Sequence, residues 1–213
     1  MSVTDFIALD VETANSDFAS ICAIGLVHFR SGEVFKSLTI LVDPEDDFSP
    51  MNIGIHGIRP KDVIGKPTMA KIFPVISSAL ADAAIVHHSP FDRTALARAA
   101  AKYGAAGMPC TWVDSCQIAK RVWPEFKGGG GHGLAHLCDA FNVTFTHHDA
   151  AEDARAAGLI VQRAIAKSGI PFASWVEEIG YQSTSDDAVP RRIKPSTHAS
   201  QEIAITGVDG GPM

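Results

Sequence analysis

Four cysteines in 213 residues, Cys22, Cys110, Cys116 and Cys138, are too few and too irregularly spaced for a CxxC knuckle or a disulfide framework. The N-terminal stretch MSVTDFIALDV has no basic flank, no long apolar segment and no cleavage signal, and no apolar run in the chain approaches the length needed to span a bilayer. These absences predict a reduced, cytoplasmic protein with no membrane role. Positive charge is also short: 18 Lys and Arg stand against 24 Asp and Glu, a formal net charge of −6. That balance argues against the broad phosphate-gripping surface of a sequence-reading DNA binder, though not against a local one. A nucleic-acid substrate would need bound cations for much of its neutralisation. What is present suits an enzyme: 46% hydrophobic and 20% charged residues, enough chain for one large domain with its own core.

DFIALDV reads as a buried strand, and ASICAIGLVHFR and EVFKSLTILVDP as two more, joined at Ser31-Gly32. Helical periodicity follows in MAKIFPVISSALADA, then a short strand in AIVHH, an Ala-rich helix in RTALARAAAKYG and another strand in CTWVDS. This order predicts an α/β fold: a mixed sheet, a three-stranded antiparallel meander plus parallel strands, with helices on both faces. After WPEFKGGGGHG come two further helices, in GLAHLCDAFNV and AAEDARAAGLIVQRAIAKSG. The domain is expected to span residues 1–181, and the polar, proline-bearing residues 182–213 to form a flexible tail.

The informative residues are acids: Asp10 and Glu12 in FIALDVETAN, Asp92 in HHSPFDRTAL and Asp153 in HHDAAEDARAA. Three of them sit at edges of apolar sequence, where an ionised carboxylate is costly unless something positive binds it. Asp10 and Glu12, two apart at a strand end, point to one face of the sheet while Val11 points to the other. Hard divalent cations prefer such oxygen ligands, and Mg²⁺ leaves most of its positions to water and substrate phosphate. Each acid also has a plain structural reading. A DxE at a strand end is commonly solvated, Asp92 after Ser89-Pro90 would cap a helix, and Asp153 in a first helical turn suits the helix dipole.

Taken in order, DVET, then SPFD ahead of an Ala-rich helix, then His148-x-Ala150-x-x-Asp153 resemble the three motifs of the DEDDh exonucleases. This is the DnaQ-like group that includes the proofreading subunit of bacterial replicative polymerase. The likeness covers residues 5–168, and Asn52-Ile53-Gly54-Ile55-His56-Gly57-Ile58 with Pro67-Thr68 resembles the family's segment before its second motif. The resemblance implies a ribonuclease-H-like fold and a metal-dependent 3′→5′ exonuclease that releases nucleoside 5′-monophosphates from single-stranded ends. DNA is favoured as substrate, an RNA-trimming exoribonuclease is the alternative, and a non-catalytic end-binding module is the lesser one. It implies two Mg²⁺ or Mn²⁺ ions about 4 Å apart, Asp10 bridging both, Glu12 and Asp153 holding the one that binds the attacking water, and Asp92 supporting the other. His148 would take the proton from that water. It is preferred to His147 because the family places its histidine five residues before the last aspartate. Thr13, Ala14, His56 and Phe91 are implied to lie against the terminal nucleotide or beside the metals. Implied partners are single-stranded DNA or RNA 3′ ends, a DNA polymerase subunit, and a second copy in a homodimer.

The chain departs from its relatives in two places. Ala14-Asn15 stands where Thr-Gly is common, and His88 replaces an amide ahead of Asp92, in His87-His88-Ser89-Pro90-Phe91-Asp92. Other signals are set aside. Gly128-Gly129-Gly130-Gly131-His132-Gly133 satisfies GxGxxG but follows Trp123-Pro124-Glu125-Phe126-Lys127 rather than a strand, so it reads as a flexible loop beside the site. The histidines at 87, 88, 132, 136, 147 and 148 lack cysteine partners and HExxH spacing, so they carry no zinc signature. Arg93, Arg98, Lys102, Lys120, Arg121 and Lys127 read equally well as a strand-binding groove or as ordinary outer faces of helices. The segment EIAITGVDGGPM faintly resembles the first strand of a BRCT domain and stops there.

Overall fold

In the computed structural model, which describes residues 5–183 and the backbone of 191–192, the opening meander forms where the apolar pattern places it. β1 (Phe6–Thr13) pairs antiparallel with β2 (Ile21–Arg30), and β2 with β3 (Glu33–Leu41). The turn between β2 and β3 is Ser31-Gly32 with φ of 51° and 86°, the left-handed pair that matches the twist of a two-residue hairpin. β4 (Ala84–His87) runs parallel to β1, and β5 (Thr111–Asp114) parallel to β4. With β6 (Tyr181–Gln182) and β7 (Arg191–Arg192) the sheet order is β3-β2-β1-β4-β5-β6-β7.

The helices are α1 (Pro50–His56), α2 (Met69–Ala79), α3 (Pro90–Lys102), α4 (Ser115–Val122), α5 (Leu134–Ala140), α6 (Ala150–Ser168) and α7 (Phe172–Ile179). Alternate residues of β1 feed two cores. Ile7, Leu9 and Val11 pack with Phe73 and Ile76 of α2 and Leu96 and Ala99 of α3. Phe6 and Ala8 pack on the opposite face with Ala157 and Val161 of α6 and Trp175 of α7. Full burial of each large apolar side chain contributes about 1.5–3 kcal/mol, so the strand is pinned from both sides and its register cannot slip without turning one core outward. Asp10 and Glu12 continue the Phe6–Ala8 row, which places both carboxylates on the α6 face.

Two glycines let α6 lie against the sheet. A Cβ on Gly25 would stand 2.1 Å from the carbonyl carbon and oxygen of Ala150, and one on Gly158 would stand 2.1 Å from the ring of Phe29. Gly25 is also the residue paired with Asp10 across β1 and β2. The first turn of α6 therefore sits beside Asp10.

The sheet passes the expected boundary at residue 181. Ser183 N–H donates to the Cys110 carbonyl at 3.0 Å, and Trp112 Nε1–H donates to Ser183 Oγ at 2.6 Å. Apart from Arg191 and Arg192 in β7, the rest of the expected tail, including its BRCT-like stretch, lies outside the described residues. All four cysteines are free thiols. Among the described residues no helix is long and apolar enough to cross a membrane.

Candidate active site

Asp10 and Glu12 leave β1 toward α6, and Asp153 comes down from that helix to meet them. One carboxylate oxygen from each of the three lies within 4.8 Å of the other two. Asp153 occupies this place because α6 is started locally by Asp149, whose side chain accepts the N–H groups of Ala151 and Glu152 at 3.0 and 3.2 Å. Asp153 then falls at the end of the first turn, 4% exposed, with its own N–H bonded to the Asp149 carbonyl.

Asp92 arrives from the opposite layer. Its helix, α3, is capped by Ser89, whose hydroxyl accepts the Phe91 N–H at 3.2 Å, so the capping role expected of Asp92 belongs to Ser89. The Asp92 carboxylate instead accepts the Val11 N–H at 3.2 Å. That donor is free because β4 pairs with β1 at Ile7 and Ala8 and goes no further. Asp92 thereby closes the open side of β1, 2% exposed, where its charge adds to the burial that raises Asp10.

Four acids in one place cannot all ionise cheaply. Burial first, then the charges of Asp92, Asp153 and Glu12, hold Asp10 well above the usual carboxylate range. Burial and then Asp153 and Asp92 push Glu12 up to about 8, and burial pushes Asp92 up to about 7 against the pull of the Val11 N–H. Asp153 is raised by burial, opposed by its hydrogen bond from His147. A divalent cation removes this conflict, and an all-oxygen donor set with short side chains fits Mg²⁺ or Mn²⁺ rather than a softer metal. These residues therefore fit the ions that the motifs imply.

The two histidines before α6 divide the surroundings of Asp153. His147 Nδ1 lies 2.9 Å from Asp153 Oδ1, and the backbone N–H of His148 donates to Asp153 Oδ2 at 2.7 Å. His148 adopts φ 65°, a left-handed conformation that aims its N–H at the carboxylate, and its ring stacks on that of His147 with centroids 3.9 Å apart. Burial, then His147, lowers the pKa of His148, while Asp153 works against them. Its imidazole is therefore neutral at pH 7 and able to accept a proton. Burial lowers His56 as well, opposed by its bond to the Thr13 carbonyl and aided by the charge of His148.

A family model described as Exonuclease, RNase T, matches residues 7–161. The chain belongs to the RNase T exonuclease family. The PolC-type DNA polymerase III of Oceanobacillus iheyensis is 27% identical over 172 residues, 76% of this chain and 12% of that protein. Exodeoxyribonuclease 10 of Escherichia coli (strain K12) is 27% identical over 119 residues, 56% of this chain and 49% of that protein. The chain thus spans 12% of that PolC-type relative's length and about half of the exodeoxyribonuclease. Two solved structures share the fold. Exonuclease X in complex with 5′ overhanging duplex DNA matches with TM-score 0.61 and 21% identity, over 78% of this chain and 93% of that one. The nuclease domain of 3′hExo, a DEDDh family member, bound to rAMP, matches with TM-score 0.68 and 13% identity, over 78% and 94%. The DEDDh resemblance and the ribonuclease-H-like fold are borne out.

Around this acidic centre the remaining expected residues behave differently from one another. The Thr13 carbonyl is held by Asn52 Nδ2 at 2.8 Å and His56 Nε2 at 3.1 Å. His56 Nδ1 accepts the Ile58 N–H at 3.1 Å, so both its nitrogens are engaged and only its ring is left to meet a nucleotide. Ala14 is fully buried, with its N–H on the Ser20 carbonyl and its carbonyl on the Ser49 N–H. Both backbone groups of Ala14 are thus engaged inside the protein, which holds Thr13 in place. Phe91 packs edge-on against Phe18 at 4.8 Å, half-buried beside Asp92. His88 ties Ser115 Oγ at 2.8 Å to the His132 carbonyl at 2.9 Å, so it anchors the glycine-rich loop to the end of β4. Lys102 and Arg121 are engaged with Asp46 and Glu178, which favours the ordinary-surface reading of those two cations. Sequence reasoning passed over Gly25, although a glycine inside a strand pattern is a known signal of close backbone approach.

Proposed function

We propose that this chain is a divalent-metal-dependent 3′→5′ exonuclease that hydrolyses the terminal phosphodiester of single-stranded nucleic acid and releases nucleoside 5′-monophosphates. The observation that carries the proposal is the convergence of Asp10, Glu12, Asp92 and Asp153 from β1, α3 and α6 on one place where burial makes their ionisation costly without cations. Asp10, Glu12 and Asp153 would hold one Mg²⁺ or Mn²⁺, and Asp10 with Asp92 a second. Such ions supply an activated water and stabilise the departing oxygen. His148, neutral and beside Asp153, takes the proton from the attacking water. Thr13, fixed by Asn52 and His56, together with Phe91 and the ring of His56, receives the terminal nucleotide.

DNA is the preferred substrate, supported by relatives named for DNA polymerase and exodeoxyribonuclease activity and by a neighbour solved on duplex DNA. A structure titled for recognition of the histone mRNA stem-loop by a 3′-exonuclease supports the RNA-trimming alternative. A cytoplasmic place, association with a polymerase subunit and a homodimer belong to the same proposal. The test is to incubate the protein with 5′-labelled single-stranded DNA and RNA in Mg²⁺, Mn²⁺ or EDTA, beside Asp10→Ala. Stepwise, metal-dependent shortening from the 3′ end that Asp10→Ala abolishes is the expected result. Absence of cleavage under every condition would leave only the end-binding module.

A further inference from the structure

The histidines have no zinc spacing in the sequence, yet folding assembles a donor set that no linear pattern displays. His147, His148 and Asp153 each present a ligand atom, and the three atoms lie within 4.8 Å of one another. His147 Nδ1 stands 2.9 Å from Asp153 Oδ1. Two donors of one tetrahedral zinc ion, each about 2.0–2.1 Å from the metal, are separated by about 3.3 Å, so an ion can take the place of the proton shared there with a shift of a few tenths of an ångström. The imidazoles must open from their stack for both to reach the ion, and His147, with 47% of its side chain exposed, has room to turn. Asp153 keeps its aim meanwhile, because its other oxygen stays on the His148 N–H at 2.7 Å.

Two imidazoles and one carboxylate suit a borderline metal with an open fourth position, whereas Mg²⁺ seeks near-octahedral oxygen coordination. We infer that His147, His148 and Asp153 form a second, inhibitory site for Zn²⁺, with His147 as the donor that creates it. The inhibition rests on the exonuclease reading: an ion here takes Asp153 from the acidic cluster and occupies the imidazole of His148 that the attacking water needs. Zinc would then silence the enzyme in the presence of ample Mg²⁺.

Zinc affinity of the metal-stripped full chain is read by competition with a chromophoric chelator, and the ligand set by the visible absorption of Co²⁺ in its place. Wild type, His147→Ala, His147→Asp and Asp10→Asn are compared, with thermal scans to separate a lost donor from a lost fold. One ion per chain with an intense tetrahedral Co²⁺ spectrum is expected. His147→Ala should weaken binding more than about tenfold, since even partners outside the ligand shell cost 10–100-fold, while His147→Asp recovers part of it and Asp10→Asn changes it little. Equal affinity of His147→Ala and wild type overturns the site, and loss of binding in Asp10→Asn overturns it by placing the ion on the acidic cluster. In the Mg²⁺ assay, each protein normalised to its own zinc-free rate, His147→Ala should need much more Zn²⁺ for half-inhibition, and an unchanged value overturns the inhibitory role. A chain that cuts nothing loses the inhibitory role together with the exonuclease reading, while chelator competition still decides the binding site.

Discussion

Stripped of divalent ions, this protein should lose stability as pH rises from 6.5 to 8, and Mg²⁺ should remove the loss. Folding raises Glu12 from 4.5 to about 8 and Asp92 from 3.8 to about 7. An acid raised on folding is protonated in the folded chain where the unfolded chain has already released its proton, so stability falls with pH between the two values. The buried histidines pull the other way: His88 drops from 6.5 to about 4, and His87, His56 and His148 are also lowered. At 6.5 the unfolded imidazoles are still half charged, so their gain runs on to about pH 7.5, worth at most about 0.4 kcal/mol each above 6.5. The raised cysteines, Cys22 and Cys138, act only as pH nears their ordinary value of 9. Across the interval from 6.5 to 8 the histidines oppose the acids in the lower half, and the acids act nearly alone in the upper half. At 1.36 kcal/mol per pKa unit, Glu12 and Asp92 together lose roughly 2 kcal/mol across it, the larger of the two from Glu12, while Asp10, also raised, adds to the fall and works against the histidines. For a domain of this size that is a fall in Tm of about 4–8 °C. Thermal scans in EDTA at intervals across the window should show the decline, and the same scans in saturating Mg²⁺ should be nearly flat, because the ion pairs with the ionised carboxylates at every pH. Glu12→Gln should make the EDTA slope measurably shallower, leaving the part due to Asp10 and Asp92. A Tm in EDTA that stays level or rises would refute the reasoning, since it would mean that the acids are already ionised in the folded chain without a cation.

Gly25→Ala should lower stability by about 3 kcal/mol or more, because its Cβ would meet the Ala150 backbone, which cannot turn aside. Thermal scans measure the loss, and a folded remnant should bind Mn²⁺ weakly because Asp153 is pushed from Asp10. His148→Ala should cut kcat by about 10²–10⁴-fold with little change in KM, read from steady-state cleavage of a labelled strand. His88→Asn, which cannot span Ser115 and the His132 carbonyl together, should cost about 1–3 kcal/mol and speed protease nicking between Gly128 and Gly131, followed by mass spectrometry.

The parts of this fold legible in the sequence are those governed by local period. The meander, the turn at Ser31-Gly32 and the long helix α6 follow from alternation, turn chemistry and three-four spacing. Among the short helices, α5 is legible from Leu134, Leu137 and Cys138 at three-four spacing, whereas α1 escapes because it buries none of its residues and so carries no apolar period. Strand β6 escapes because two residues have no pattern at all, and its place is set by Thr111 and Trp112 across the sheet.

For the site, the motifs supply the identity of the acids but not the reason they meet. That reason is tertiary: Asp92 is drawn to a Val11 N–H left open because β4 ends early, and Asp153 is lowered onto β1 because Gly25 has no side chain. Neither fact can be stated from a strand considered alone, since both depend on which strand lies beside it. The same holds for the adjacent histidines. Their spacing to Asp153 favours His148, yet it is His147 whose ring bonds the carboxylate while His148 offers its backbone, an exchange made by the left-handed turn at His148. A substitution that returns residue 148 to a right-handed or extended backbone, such as His148→Val, should therefore do more than remove a base. It should release Asp153 Oδ2 and weaken Mn²⁺ binding in titrations where His148→Asn, tolerant of the left-handed region, leaves it nearly unchanged. Equal Mn²⁺ affinity in the two variants would show that the turn does not aim the carboxylate.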